Sequence, residues 1–139
     1  MIELDNRTTL TVDEPLLNSI AKTLTDKEIE LIITNNTEIQ EINNMHRGID
    51  NATDVLSFPY EEMPMSPLGS IVISYEFVQE KAKELQHTYD DELTLLFIHG
   101  LLHLLGFDHE VDQGEMRAKE NSLIEKFKLP TSLIVRTQG

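Results

Sequence analysis

LTLLFIHGLLHLLGF, residues Leu93–Phe107, is the stretch on which the fold turns. It is the most lipid-like run in the chain, yet it is shorter than the ~20 residues a membrane span needs and it carries two histidines, so it reads as a buried helix. A helix that is apolar on every side must be covered by protein on every side. Asp90 and Asp91 can cap its start, and Gly106 suits its C-terminal stop. The remaining segments have to supply the cover.

They read as follows. Ile2–Thr11 is an edge or first strand, and Asp13-Glu14-Pro15 opens a helix with Leu16, Leu17, Ile20, Ala21 and Leu24 on its apolar side. Glu28–Thr34, EIELIIT, has the β-branched run of a buried strand and ends at Asn35-Asn36. Thr37–Met45 repeats Ile39, Ile42 and Met45 at helical spacing and stops at Arg47-Gly48. Thr53–Tyr60 alternates like a strand, and three prolines make Glu61–Pro67 a loop. Leu68–Ser74 is a further apolar strand. Tyr75–His87 is a charged amphipathic helix with Phe77, Val78, Ala82 and Leu85 inward, and a last helix covers roughly Gln113–Phe127. Strand, helix, strand, helix, two strands and three helices predict an α+β or mixed α/β architecture: one domain, 1–139, with about four strands packed by about five helices.

Composition narrows the chemistry. The chain has 139 residues and no cysteine, which excludes disulfides, zinc ribbons and C-x-x-C redox motifs, so any zinc must be held by histidine and carboxylate. The N-terminus lacks the basic and apolar regions of a secretory signal, and a cytoplasmic location is expected, with no membrane partner. Eleven Lys and Arg against 25 Asp and Glu give a formal charge of −14, a field that disfavours nucleic acid at long range.

Against that charge stands HGLLHLLGFDH, residues 99–109. His99 and His103, four apart on one helix, point from the same face and can bind one zinc ion. Gly106 lets the chain turn back, and His109 can supply the third ligand. The spacing overlays the H-E-x-x-H-x-x-G-x-x-H pattern of zinc peptidases, except that Gly100 stands where the catalytic Glu belongs. Three neutral histidines leave the ion its full charge and an open position, the arrangement of a catalytic site. Asp108 and Glu110 flank His109 and can serve as replacement base, as partners that orient an imidazole, or simply as solvated turn residues.

These residues resemble the YbeY family of bacterial metal-dependent endoribonucleases, whose pattern H-G-x-L-H-L-x-G-[YF]-D-H is met at every fixed position. A second block agrees through Asn43, Arg47 and Thr53–Pro59, and a third is LGSIVIS, residues 68–74. Ser70 departs from the usual Asp, Ala52 from a common Pro, and His46 from a frequent aromatic. The resemblance implies a zincin-like α+β domain, one zinc ion per chain on His99, His103 and His109, and a catalytic Arg47 beside it, with Asp108 the remaining catalytic candidate. It implies action on single-stranded ribosomal RNA in rRNA maturation and ribosome quality control, with the ribosome or a ribosome-associated protein as partner and no DNA substrate. Arg47 can grip a phosphate through two parallel N–H bonds; as a helix-ending residue it can equally cap carbonyls. Lys81 and Lys83 can extend a basic strip. Two other readings stay open: a zinc peptidase of metzincin-like geometry, and a non-enzymatic ribosome-assembly factor with a structural metal.

Overall fold

In the computed structural model, which describes residues 1–108 and 110–130, four strands form one mixed sheet flanked by five helices, an α+β arrangement. The strands are β1 (Ile2–Asn6), β2 (Ile29–Thr34), β3 (Val55–Pro59) and β4 (Gly69–Ser74). The helices are α1 (Glu14–Lys22), α2 (Asn36–Arg47), α3 (Tyr75–Leu85), α4 (Tyr89–Leu104) and α5 (Glu115–Lys126). The sheet order is β1-β2-β4-β3, with β1, β2 and β4 parallel and β3 antiparallel at one edge. The two central strands are covered on both faces, which is why EIELIIT and LGSIVIS read as nearly continuous apolar runs.

Side-chain alternation divides the sheet into two faces. Ile29, Leu31 and Ile33 of β2 and Ile71 and Ile73 of β4 pack with Leu17 and Ile20 of α1, Val78 of α3, and Phe97, Leu101 and Leu102 of α4. Ile32, Leu56, Phe58 and Val72 point the other way and pack with Ile39 and Ile42 of α2. Helices α2 and α4 therefore lie on opposite faces. As its composition requires, α4 is buried almost throughout, from Glu92 to Ile98 and again at Gly100–Leu102.

The helix ends follow local chemistry. Asp13 accepts from the Leu16 N–H at the start of α1, and Asn35 accepts from the Glu38 N–H at the start of α2. Helix α4 is capped differently from expectation: Thr88, not Asp90 or Asp91, accepts from the Asp91 N–H at 3.1 Å, so the two acids occupy the first turn, where they favour the helix dipole. Its first turn also buries Glu92, which pairs with His87 at 2.8 Å, both nearly inaccessible. Two other readings need correction. The first strand ends at Asn6 rather than Thr11, because the Asn6 side chain turns back to bond the Thr8 N–H and the Leu10 carbonyl. Leu85 is exposed rather than inward, since it stands in the last turn of α3, just before Gln86 takes the left-handed conformation.

Between β2 and α2, Glu38 accepts from the Thr34 hydroxyl at 2.7 Å and also pairs with Arg7. The Thr34 bond, with the Arg7 guanidinium, holds the Glu38 carboxyl below its ordinary range. A depressed acid contributes stability that is present above its unfolded pKa and lost as pH falls through the folded one. Thr34→Val should therefore melt below the wild type near about pH 7, with the gap narrowing toward about pH 3, where Glu38 is neutral in both proteins; thermal melts at the two values check this.

Candidate metal and phosphate site

The paired histidines sit on α4, and their direction is set by what lies beneath them. Gly100, one residue after His99, is buried against the β3–β4 pair, and its carbonyl accepts a hydrogen bond from Ser57 Oγ at 3.0 Å. A Cβ at this position would stand 2.9 Å from Ile71 Cγ2, 3.2 Å from Ser57 Oγ and 3.3 Å from Val55 Cγ2. With position 100 turned into the sheet, positions 99 and 103 share the flank of the helix.

On that flank the two imidazoles meet edge to face with centroids 4.7 Å apart, and His99 Nε2 lies 3.2 Å from His103 Nε2. Two ring nitrogens so close share either one proton or one cation. For a single ion ~2.0–2.1 Å from each nitrogen, this separation corresponds to an N–metal–N angle of about 100°, close to tetrahedral, so the pair fits zinc. Among the described residues no cluster of three or more potential ligands is found, and His109, the expected third ligand, lies outside the described residues.

The far nitrogen of His99 is also engaged. Nδ1 lies 2.7 Å from Glu120 Oε1, on α5, a carboxylate only 6% exposed. Sequence reasoning looked for this partner next to His109 and missed Glu120. Nothing but its burial in an otherwise charged helix marks it, and burial is not visible in the sequence. Asp108 instead accepts from the Glu110 N–H at 3.0 Å, within the turn.

That turn begins as the glycine predicted. Gly106 has φ +97°, and its N–H donates to the His103 carbonyl while the Phe107 N–H donates to the Leu102 carbonyl. This is a Schellman closure, and Phe107 returns against the core as the motif demands.

Arg47 ends α2 on the opposite face of the sheet from α4. The helix end is closed in part by backbone: Gly48 N–H donates to Asn44 O and Ile49 N–H to Asn43 O. Among the described residues the exposed Arg47 side chain makes no hydrogen bond or ion pair, and none joins it to His99 or His103. Asn43, buried, donates to the Asn51 carbonyl at 3.0 Å and so ties the following loop to α2. His46 stacks tilted on Phe58 of β3, centroids 5.2 Å apart. Ser70 pairs across the sheet with Glu30 and Phe58, on the face away from α4, so the loss of the usual acid there does not alter the histidine environment. Lys81 makes an exposed contact with Glu84 one turn on, at 3.4 Å.

Comparison with known proteins decides the family. The profile of the Endoribonuclease YbeY family matches residues 3–128. The chain belongs to this family. It is 63% identical over 139 residues to the endoribonuclease YbeY of Sulfurimonas denitrificans, covering the whole of both chains. It is 54% identical to that of Helicobacter pylori, covering 99% of each, and 59% identical to that of Campylobacter jejuni subsp. jejuni, covering 88% of this chain and 92% of that protein. The fold is also that of a Thermotoga maritima protein solved in solution, with a TM-score of 0.63 and 32% identity over 91% of this chain and 89% of the other. Membership brings the enzyme class, an endoribonuclease hydrolysing RNA, into line with the histidine motif.

At Gly100 this chain lacks the peptidase glutamate, and a side chain there meets Ile71. Gly100→Glu should not create a peptidase: a carboxylate forced between α4 and the sheet displaces Ile71 and is buried without a partner. We expect a loss of at least about 1–3 kcal/mol of stability by denaturant unfolding and no cleavage of an unstructured protein substrate.

Proposed function

We propose that this chain is a zinc-dependent endoribonuclease specific for single-stranded RNA, acting in ribosomal RNA maturation and ribosome quality control in the cytoplasm. The observation that carries the reading is the 3.2 Å approach of two imidazole nitrogens, in a chain of the endoribonuclease YbeY family. In this reading the domain is zincin-like, and His99, His103 and His109 hold one zinc ion at the open flank of α4. When bound, such an ion supplies Lewis acidity toward a phosphoryl oxygen and lowers the pKa of a coordinated water.

The chain's own residues do the rest. Arg47 grips a phosphate of the RNA backbone bidentately and stabilises charge developing on its oxygens. Asp108, beside His109, is the candidate for proton transfer, through an oxygen not spent on the turn. A charge of −14 calls for RNA presented by the ribosome or a ribosome-associated protein rather than captured by long-range attraction.

Among the described residues no helix is long and apolar enough to cross a membrane. The peptidase reading loses its base and the room for one at Gly100, and the assembly-factor reading leaves the enzyme family to which the chain belongs without a use.

Elemental analysis of the purified protein, followed by cleavage assays on a single-stranded RNA, tests the proposal. We expect about one zinc per chain, and loss of cleavage on chelation and in His103→Ala. Arg47→Ala should keep its zinc and its melting temperature but cleave on the order of 10²–10³-fold more slowly, the usual loss for one transition-state donor. Cleavage undiminished in both variants would overturn the assignment.

A further inference from the structure

The histidine site has a second, less obvious requirement, and it comes from another helix. A neutral imidazole has one donor nitrogen and one acceptor nitrogen, and an ionised carboxylate only accepts. Glu120 Oε1 lies 2.7 Å from Nδ1 of His99, so a carboxylate acceptor there favours the tautomer with the proton on Nδ1. Nε2 then presents its lone pair, and it presents it toward His103 Nε2 at 3.2 Å.

The alternative tautomer would set a lone pair against a carboxylate that is only 6% exposed and poorly hydrated. Glu120 is held in place by its own helix: Met116 and Leu123 of α5 join the main core, and Ile124 packs on Leu95 of α4. The carboxylate thus approaches His99 from a docked element, not from a flexible turn. Asp108, next to His109 in sequence, accepts instead from the Glu110 backbone N–H within the turn.

We propose that Glu120 is a positioning residue: it accepts the Nδ1 proton of His99, fixes the Nε2 lone pair on the side facing His103, and so links the docking of α5 to metal capture. The inference rests on the metal reading given above. If α5 orients the ligand, zinc in turn holds α5, because a coupling between two events is the same in both directions. Carboxylate partners of this kind also raise the basicity of the ligating imidazole.

The test uses the full chain, with zinc alone as the probe. Competition titration against a chromogenic chelator should show E120Q binding zinc on the order of 10–100-fold more weakly than the wild type. E92Q serves as the control, since it neutralises another buried helix carboxylate paired with a histidine, His87, that is not a proposed ligand; its zinc affinity should be unchanged. Nitrogen-15 spectra of the metal-free wild type should place the His99 proton on Nδ1, and E120Q should lose that bias.

A folded E120Q that binds zinc like the wild type overturns the inference. If E120Q fails to fold, the wild-type spectra decide it: a proton on His99 Nε2 overturns the proposal and one on Nδ1 supports it. A wild type that takes up no zinc at all sinks the metal reading instead, while the spectra still judge whether Glu120 sets the tautomer.

Discussion

Helix α4 lies so close to β3 and β4 that only a hydrogen fits at Gly100, and this contact fixes the rotation of the helix about its axis. A helix buried on nearly all sides has no amphipathic stripe to orient it, so its setting has to come from shape. The Ser57 hydroxyl bonded to the Gly100 carbonyl pins the same point. Once position 100 faces the sheet, His99 and His103 must face the flank. The Schellman turn at Gly106 then leads the chain out of the helix, and α5 closes over His99 with Glu120. The residue absent from the peptidase pattern is therefore not simply missing: its place is taken by the packing that aims the histidines.

The opposite face of the sheet serves a different purpose. Helix α2 covers Leu56, Phe58 and Val72 there, and ends at Arg47. Gly48 adopts φ +68° and backbone N–H groups bond the Asn43 and Asn44 carbonyls, so among the described residues the helix closes without the arginine side chain. That matters in a chain with 25 acids and 11 Lys and Arg, where Arg7 and Lys81 are already bound to neighbouring carboxylates. Among the described residues Arg47 has no such pairing, and its guanidinium stays exposed at the end of α2.

Much of the architecture was legible because the relevant signals are local. Alternation and β-branching located β2 and β4, prolines marked the loop after β3, and Asp13, Asn35 and Gly106 act where their backbone chemistry predicts. Errors arose where two local signals competed. Thr88 and the two following acids are all able to cap α4, and only the path of the preceding chain selects Thr88. Leu85 continues the apolar spacing of α3, but the helix ends beyond the core before that spacing can be used. Ser70 departs from the family's usual Asp, and only the parity of β4 shows that it lies on the face away from the histidines.

What the sequence determined alone is the pairing of the two histidines and the family. Spacing four apart on a helix brings His99 and His103 together whatever surrounds them, and the motif from His99 to His109 is long enough to be specific. What only tertiary structure decided is which way that pair faces, why no side chain is tolerated at Gly100, and that Glu120, from a separate helix, holds His99. The reason is physical. Ligand spacing is a property of one helix, whereas orientation and tautomer depend on surfaces and buried carboxylates contributed by segments distant in the chain, which come together only when the core packs.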